Sequence, residues 1–111
     1  MFSALILFGF PADSRAFEEH FAQNYRPLLR LVPHLEGLVI NRVAGAAKGE
    51  PPFYAIVEMQ FASEEAMQNG LNSEEGQAMA RELASFASGG FTVVFSRTSI
   101  DRAFKSTRER R

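Results

Sequence analysis

Acid–base chemistry in this sequence rests on few side chains: two histidines, His20 and His34, two tyrosines, Tyr25 and Tyr54, and the carboxylates. His20 falls at the edge of an apolar stripe. An imidazole, which changes charge near neutral pH, would serve there as a general base facing a cavity between helix and sheet. The plainer alternative is a stripe-edge histidine with one satisfied hydrogen bond. Glu58 sits mid-strand between Val57 and Met59, where a carboxylate loses water and needs a cation; Arg42 and Arg97 are the candidates. It reads either as an acid/base in a cavity or as an interface salt bridge. Asn24, one turn from His20, and Asn41 and Tyr54, in the same cavity as Glu58, would add polar contacts to a ligand. His34 and Glu36 alternate at the start of a strand and could point the same way. Two such ligands are too few for a closed metal site. With no cysteine in the chain, a disulfide, a thiolate metal ligand and a thiol nucleophile are all excluded. No glycine pattern after a strand suits a phosphate loop, and no Ser-His-Asp or paired-carboxylate arrangement stands out.

These side chains need a scaffold, and the hydropathy pattern supplies one. Phe2 to Phe10 reads as a strand ended by Gly9 and Pro11. Asp13 or Ser14 can cap a following helix, and Phe17, Phe21, Tyr25 or Asn24, Leu28 and Val32 form its apolar stripe. Pro27 lacks an N–H, so that helix kinks or restarts there as a second short helix. Leu35 to Ala44 and Phe53 to Phe61 read as the next strands, separated by a Gly/Pro-rich loop. Ser63-Glu64-Glu65 and Ser73-Glu74-Glu75 each begin a helix, with acids at the positive end of its dipole. The second buries Gly76, Met79, Leu83 and Phe86 or Ala87, and Gly89-Gly90 leads into a last strand from Phe91 to Arg97.

The order βαββαβ is a ferredoxin-like plait, an α+β fold with a four-stranded antiparallel sheet and its helices on one face. The faces of the strands add a constraint. Phe2, Ala4, Ile6 and Phe8, with Phe91, Val93 and Phe95, point toward the helices, while Leu5, Leu7, Ile56 and Val94 point the other way. Helices on one side cannot cover both faces. The second face therefore calls for a partner, and a homodimer stacking two such sheets supplies it.

Composition bounds the rest. The chain has 111 residues, 46% hydrophobic and 23% charged, which is one globular domain with a real core. The domain is expected over 1–104, with a basic tail over 105–111. The tail holds four basic residues and one acid with no aromatic partner, so it reads as a solvated terminus and not as a nucleic-acid surface. The apolar start from Met1 to Phe10 lacks a basic flank and is about half the ~20 residues a bilayer span needs. It reads as a buried strand, and the expected compartment is the cytoplasm, without membrane attachment.

Several segments together resemble the EthD family of the dimeric α+β barrel superfamily, over nearly the whole chain. They include Gly9-Phe10-Pro11, Phe17-Glu18-Glu19-His20-Phe21, Tyr25-Arg26-Pro27-Leu28, Val32-Pro33-His34-Leu35, Met59-Gln60-Phe61, Ser73-Glu74-Glu75-Gly76 and Glu82-Leu83-Ala84-Ser85-Phe86. The resemblance implies a ferredoxin-like protomer pairing sheet to sheet into a barrel. Three positions depart from the family's pattern. Tyr25 stands where a histidine is usual, His34 where a glycine is usual, and Glu82 where an aspartate is common. A tyrosine at 25 is a hydrogen-bond donor to a developing oxyanion rather than a neutral-pH base.

The functional expectation is a homodimer that binds, and transforms, a small apolar or aromatic metabolite between sheet and helices, with no tightly bound cofactor and no metal. Tyr25, His20 and Glu58 are the catalytic candidates; Asn24, His34, Asn41 and Tyr54 are the ligand-binding ones. Relatives sharing the fold include cofactor-free monooxygenases, isomerases and polyketide-processing enzymes, so oxidoreductase, isomerase or decarboxylase/dehydratase chemistry all fit. The alternative is a non-catalytic dimeric module with a solidly packed barrel.

Overall fold

The computed structural model describes residues 1–101, so the expected tail at 105–111 and its boundary at 104 lie outside the described residues. Strands β1 (Phe2–Phe8), β2 (Gly37–Arg42), β3 (Ala55–Phe61) and β4 (Phe91–Arg97) form one sheet in the order β2-β3-β1-β4. Every neighbouring pair is antiparallel. The first crossover holds α1 (Ser14–His20), a π-helical turn (Phe21–Tyr25) and α2 (Arg26–Arg30); the second holds α3 (Glu64–Asn72) and α4 (Glu74–Phe86). The βαββαβ plait is therefore present, with the helices packed on the Ala4, Ile6 and Phe8 face of the sheet.

Short polar side chains set where the helices begin. Asp13 Oδ1 accepts from the Arg15 and Ala16 N–H groups, and Ser63 Oγ from that of Ala66. Ser73 Oγ accepts from the Gly76 N–H at 3.0 Å and donates to the Gly70 carbonyl at 2.6 Å, so one hydroxyl ends α3 and starts α4. Each such cap satisfies backbone groups that a helix end leaves free and contributes about 1 kcal/mol.

Pro27 has a larger effect than a simple restart. It cannot donate to the Gln23 carbonyl, and just ahead of it the helix widens so that the Arg26 N–H reaches Phe21, five residues back. In a uniform α-helix, a four-residue spacing drifts by about 40° per step. The wide turn removes part of that drift, and Phe17, Phe21, Tyr25 and Leu29 all point into the core. The buried leucine is thus Leu29, with Leu28 half-buried and Asn24 exposed, a shift that a strict α periodicity does not anticipate.

Three strands are shorter than the apolar runs suggest, and β1 ends at Phe8 instead of Phe10. β2 begins at Gly37 and β3 at Ala55, because the chain is still turning at 34 and 54. His34 lies in that first turn with φ 68°, the left-handed region that favours glycine. The other departure is β4. Phe91, Val93 and Phe95 do face the helix side, but no helix covers them and all three are exposed.

Candidate functional site

The helix layer stops short of β4, and the gap is a crevice. It holds about 150 Å³ between α4 and the sheet, walled by Ile6, Met59, Met79, Leu83, Val93 and Phe95. Gly76 and Ala80 give α4 little bulk on this side. No titratable side chain lines it. A site of this kind holds a ligand by excluding water, not by polar recognition.

Tyr25 lies one layer behind the crevice wall. It is fully buried, and its hydroxyl donates to the Met79 sulfur at 3.1 Å. Phe8, Phe21 and Phe86 surround the ring. Burial raises its pKa well above the ordinary tyrosine value, because phenolate charge has no water or cation there.

A second pocket of about 330 Å³ opens where the start of α1 meets the end of α4, lined by Asp13, Ala16, Phe17, His20 and Phe86 among others. His20 Nε2 meets Glu82 Oε2, and the imidazole stacks on Phe86 with centroids 4.8 Å apart and planes 20° from parallel. Glu82 and Phe86 are four residues apart on α4, so one helical face grips the ring by a hydrogen bond and by stacking. The turn after α4 closes this end. The Ala12 N–H donates to Ser88 Oγ, and a Cβ on Gly89 would lie 2.1 Å from the Phe10 carbonyl oxygen. Only glycine permits that approach.

On the other flank of α1, Glu18 accepts from Arg42 Nε at 2.9 Å and from the Tyr54 hydroxyl at 2.5 Å, while the guanidinium lies over Phe21. The Arg42 hydrogen bond lowers the Glu18 pKa, and the same contact raises that of Arg42; bonding to Glu18 raises that of Tyr54. The cluster ties α1 to the β2–β3 edge. It also corrects two expectations. Arg42 is engaged by Glu18 and so is not the cation for Glu58. Tyr54, which precedes β3 and packs against Phe17, does not share a cavity with Glu58.

Glu58 is on the opposite, helix-free face, where Ser3 Oγ donates to it at 2.8 Å and lies 2.7 Å from the Thr98 hydroxyl. Arg97, the other expected cation, lies over Phe2 on the helix side. Asn41 pairs in register with Ile56 and so shares the Glu58 face, exposed. Leu5, Leu7 and Ile56 are half-buried there, and Val39 and Val94 exposed.

The expected site residues therefore fall into four groups. His20 lines the α1–α4 pocket; Tyr25 backs the crevice; Tyr54 joins Glu18 and Arg42; Glu58 and Asn41 share the helix-free face. Asn24 and His34 are exposed and join none of these. His34 does not alternate with Glu36 along a strand as expected, since β2 begins only at Gly37. Among the described residues, no three His, Cys, Asp or Glu side chains gather closely enough to hold a metal ion. Also among them, no helix is long and apolar enough to cross a membrane. Sequence reading missed Glu18 and the ring-gripping role of Glu82. Their partners are 24 and 62 residues away, and their one local signal is that His20 and Glu82 both sit at stripe edges.

Residues 11–90 match the EthD domain family. An uncharacterised 11.0 kDa protein from the thcB–thcC intergenic region of Rhodococcus erythropolis is 31% identical over 96 residues, 86% of this chain and 93% of that one. The crystal structure of an ethyl tert-butyl ether (EthD) family protein from Bacillus halodurans superposes with TM-score 0.85 at 29% identity, covering 89% of this chain and 99% of that one. A dimeric ferredoxin-like protein from Thermobifida fusca shares the fold at TM-score 0.67 and 14% identity, covering 87% and 90%.

Proposed function

The chain belongs to the EthD domain family, and from that premise we propose that it acts as a homodimer binding a small apolar or aromatic molecule in the crevice between α4 and the sheet. The observation that carries this reading is β4, whose apolar side chains are exposed on both faces although those on the helix side continue the buried Ala4, Ile6 and Phe8 row of β1. Exposed apolar surface of that extent marks a contact site. On the helix-free face, Leu5, Leu7, Val39, Ile56 and Val94 form a patch suited to a second copy, and the relative from Thermobifida fusca is described as dimeric. On the helix side, the crevice matches one aromatic ring in size, since a dry cavity of about 150 Å³ lined by Leu, Ile and Phe accepts benzene. With no titratable group on its walls the crevice retains a molecule without transforming it. In the dimer, Glu58 with Ser3 supplies the polar centre of the sheet-to-sheet interior.

A native mass spectrum of the protein purified from its own host tests this. A dimer carrying a small extra mass is expected, and Ala80→Phe, which fills the crevice from the α4 side, should remove the adduct and keep the dimer. A monomer would overturn the dimer reading, and an adduct that survives Ala80→Phe would move the ligand elsewhere.

A further inference from the structure

We infer that the pocket between α1 and α4 is a second site, distinct from the apolar crevice, in which His20 accepts the proton of a neutral aromatic hydroxyl. Glu82 is an acceptor when ionised, so the His20 nitrogen facing it, Nε2, carries the hydrogen. That leaves Nδ1 as the lone-pair nitrogen of a ring lining the pocket, and among the described residues no hydrogen bond is made to it. The ring is fixed on two sides, by Glu82 and by stacking on Phe86. This geometry holds a base in place instead of leaving it to sweep through solvent. Phe17, Phe86 and Ala16 give the pocket apolar walls, and about 330 Å³ is room for a ring with substituents. Asp13 borders the same space, spent on capping α1, and with Glu82 it makes the surroundings acidic. An anionic carboxylate or phosphate is therefore disfavoured, and a neutral hydroxyl able to donate is favoured. In the transfer, the ligand O–H bond breaks and an Nδ1–H bond forms. The electron pair stays on the ligand oxygen as phenolate, which pairs with the imidazolium, so the net charge of the site is unchanged while Glu82 steadies the cation. No oxidant or metal enters the step.

The test uses 4-nitrophenol, whose phenol and phenolate forms absorb at different wavelengths, with the intact protein labelled at its histidine rings. Saturable growth of the phenolate band is expected, accompanied by a shift of the His20 ring resonances and not those of His34, the other histidine. Glu82→Gln should weaken the effect by about fivefold, as loss of one partly exposed charged pair would. Ala16→Phe fills the pocket from one helical turn before His20 and should abolish it, as should His20→Ala. Ala80→Phe, which blocks the crevice, should leave it intact. The inference is overturned if no phenolate forms, if the signal survives Ala16→Phe or His20→Ala, or if Ala80→Phe removes it.

Discussion

Phe8 and Phe91 face each other across β1 and β4, as do Ile6 and Val93, and Ala4 and Phe95. All six point to the same side of one sheet. Yet Phe8, Ile6 and Ala4 are 0%, 2% and 1% exposed, while Phe91, Val93 and Phe95 are 41%, 40% and 60% exposed. The residue types do not differ enough to explain this; the position of α4 does. Periodicity reports which face of a strand a side chain takes, and it cannot report whether a helix extends far enough to cover it. The uncovered strand is where the molecule still has burial to gain, and the crevice opens at that boundary.

The largest expected effect breaks the comparison directly. Phe8→Ala should cost about 3–5 kcal/mol, as truncation of a packed core ring does, whereas Phe91→Ala should cost about 1 kcal/mol or less, in urea unfolding of dilute protein. Equal costs would mean that β4 is covered in solution. If the Phe91→Ala cost then shrank on dilution, the cover would be a second copy of the chain.

A smaller effect sharpens the buried side of the comparison. Tyr25→Phe removes a buried hydroxyl whose partner is the Met79 sulfur, and should cost about 1 kcal/mol at neutral pH. The folded-state pKa of Tyr25 is raised, so its neutral form contributes stability below the ordinary tyrosine range, and that contribution is lost as pH rises through and beyond it. Unfolding midpoints of the wild type should therefore fall in alkali more steeply than those of Tyr25→Phe.

The smallest effect belongs to the rim, where Glu18 and Arg42 are partly in water. Glu18→Gln should cost less than about 1 kcal/mol at pH 7. The Glu18 pKa is lowered by Arg42, so its contribution is present above the ordinary carboxylate range and fades as pH falls below it. The difference between wild type and Glu18→Gln should close in acid, and a difference that persisted there would assign the effect to shape instead of charge.

Much of this arrangement is legible in the sequence. Asp13, Ser63 and Ser73 announce their helices because capping is a local transaction, and the βαββαβ order follows from runs and breaks along the chain. Leu29 in place of Leu28 is not legible from an α period, because Pro27 alters the helix upstream of itself. Tyr54 is misplaced by alternation because β3 starts at Ala55, two residues later than Phe53, after the turn that follows Pro51-Pro52. The groups at the candidate sites are least legible. Arg42 is equally available by type to Glu18 and to Glu58, and only the packing of α1 against the β2–β3 edge decides between them.

The central claim is that the crevice beside β4 accepts an apolar molecule, and the methionines report on it. Met59 and Met79 line the crevice, while Met67, buried under α3, does not. In protein labelled at its methionine methyls, titration with toluene should shift Met59 and Met79 saturably and leave Met67 in place, with the shifts lost in Ala80→Phe. Shifts of equal size at all three, or none at Met59 and Met79, would contradict the account.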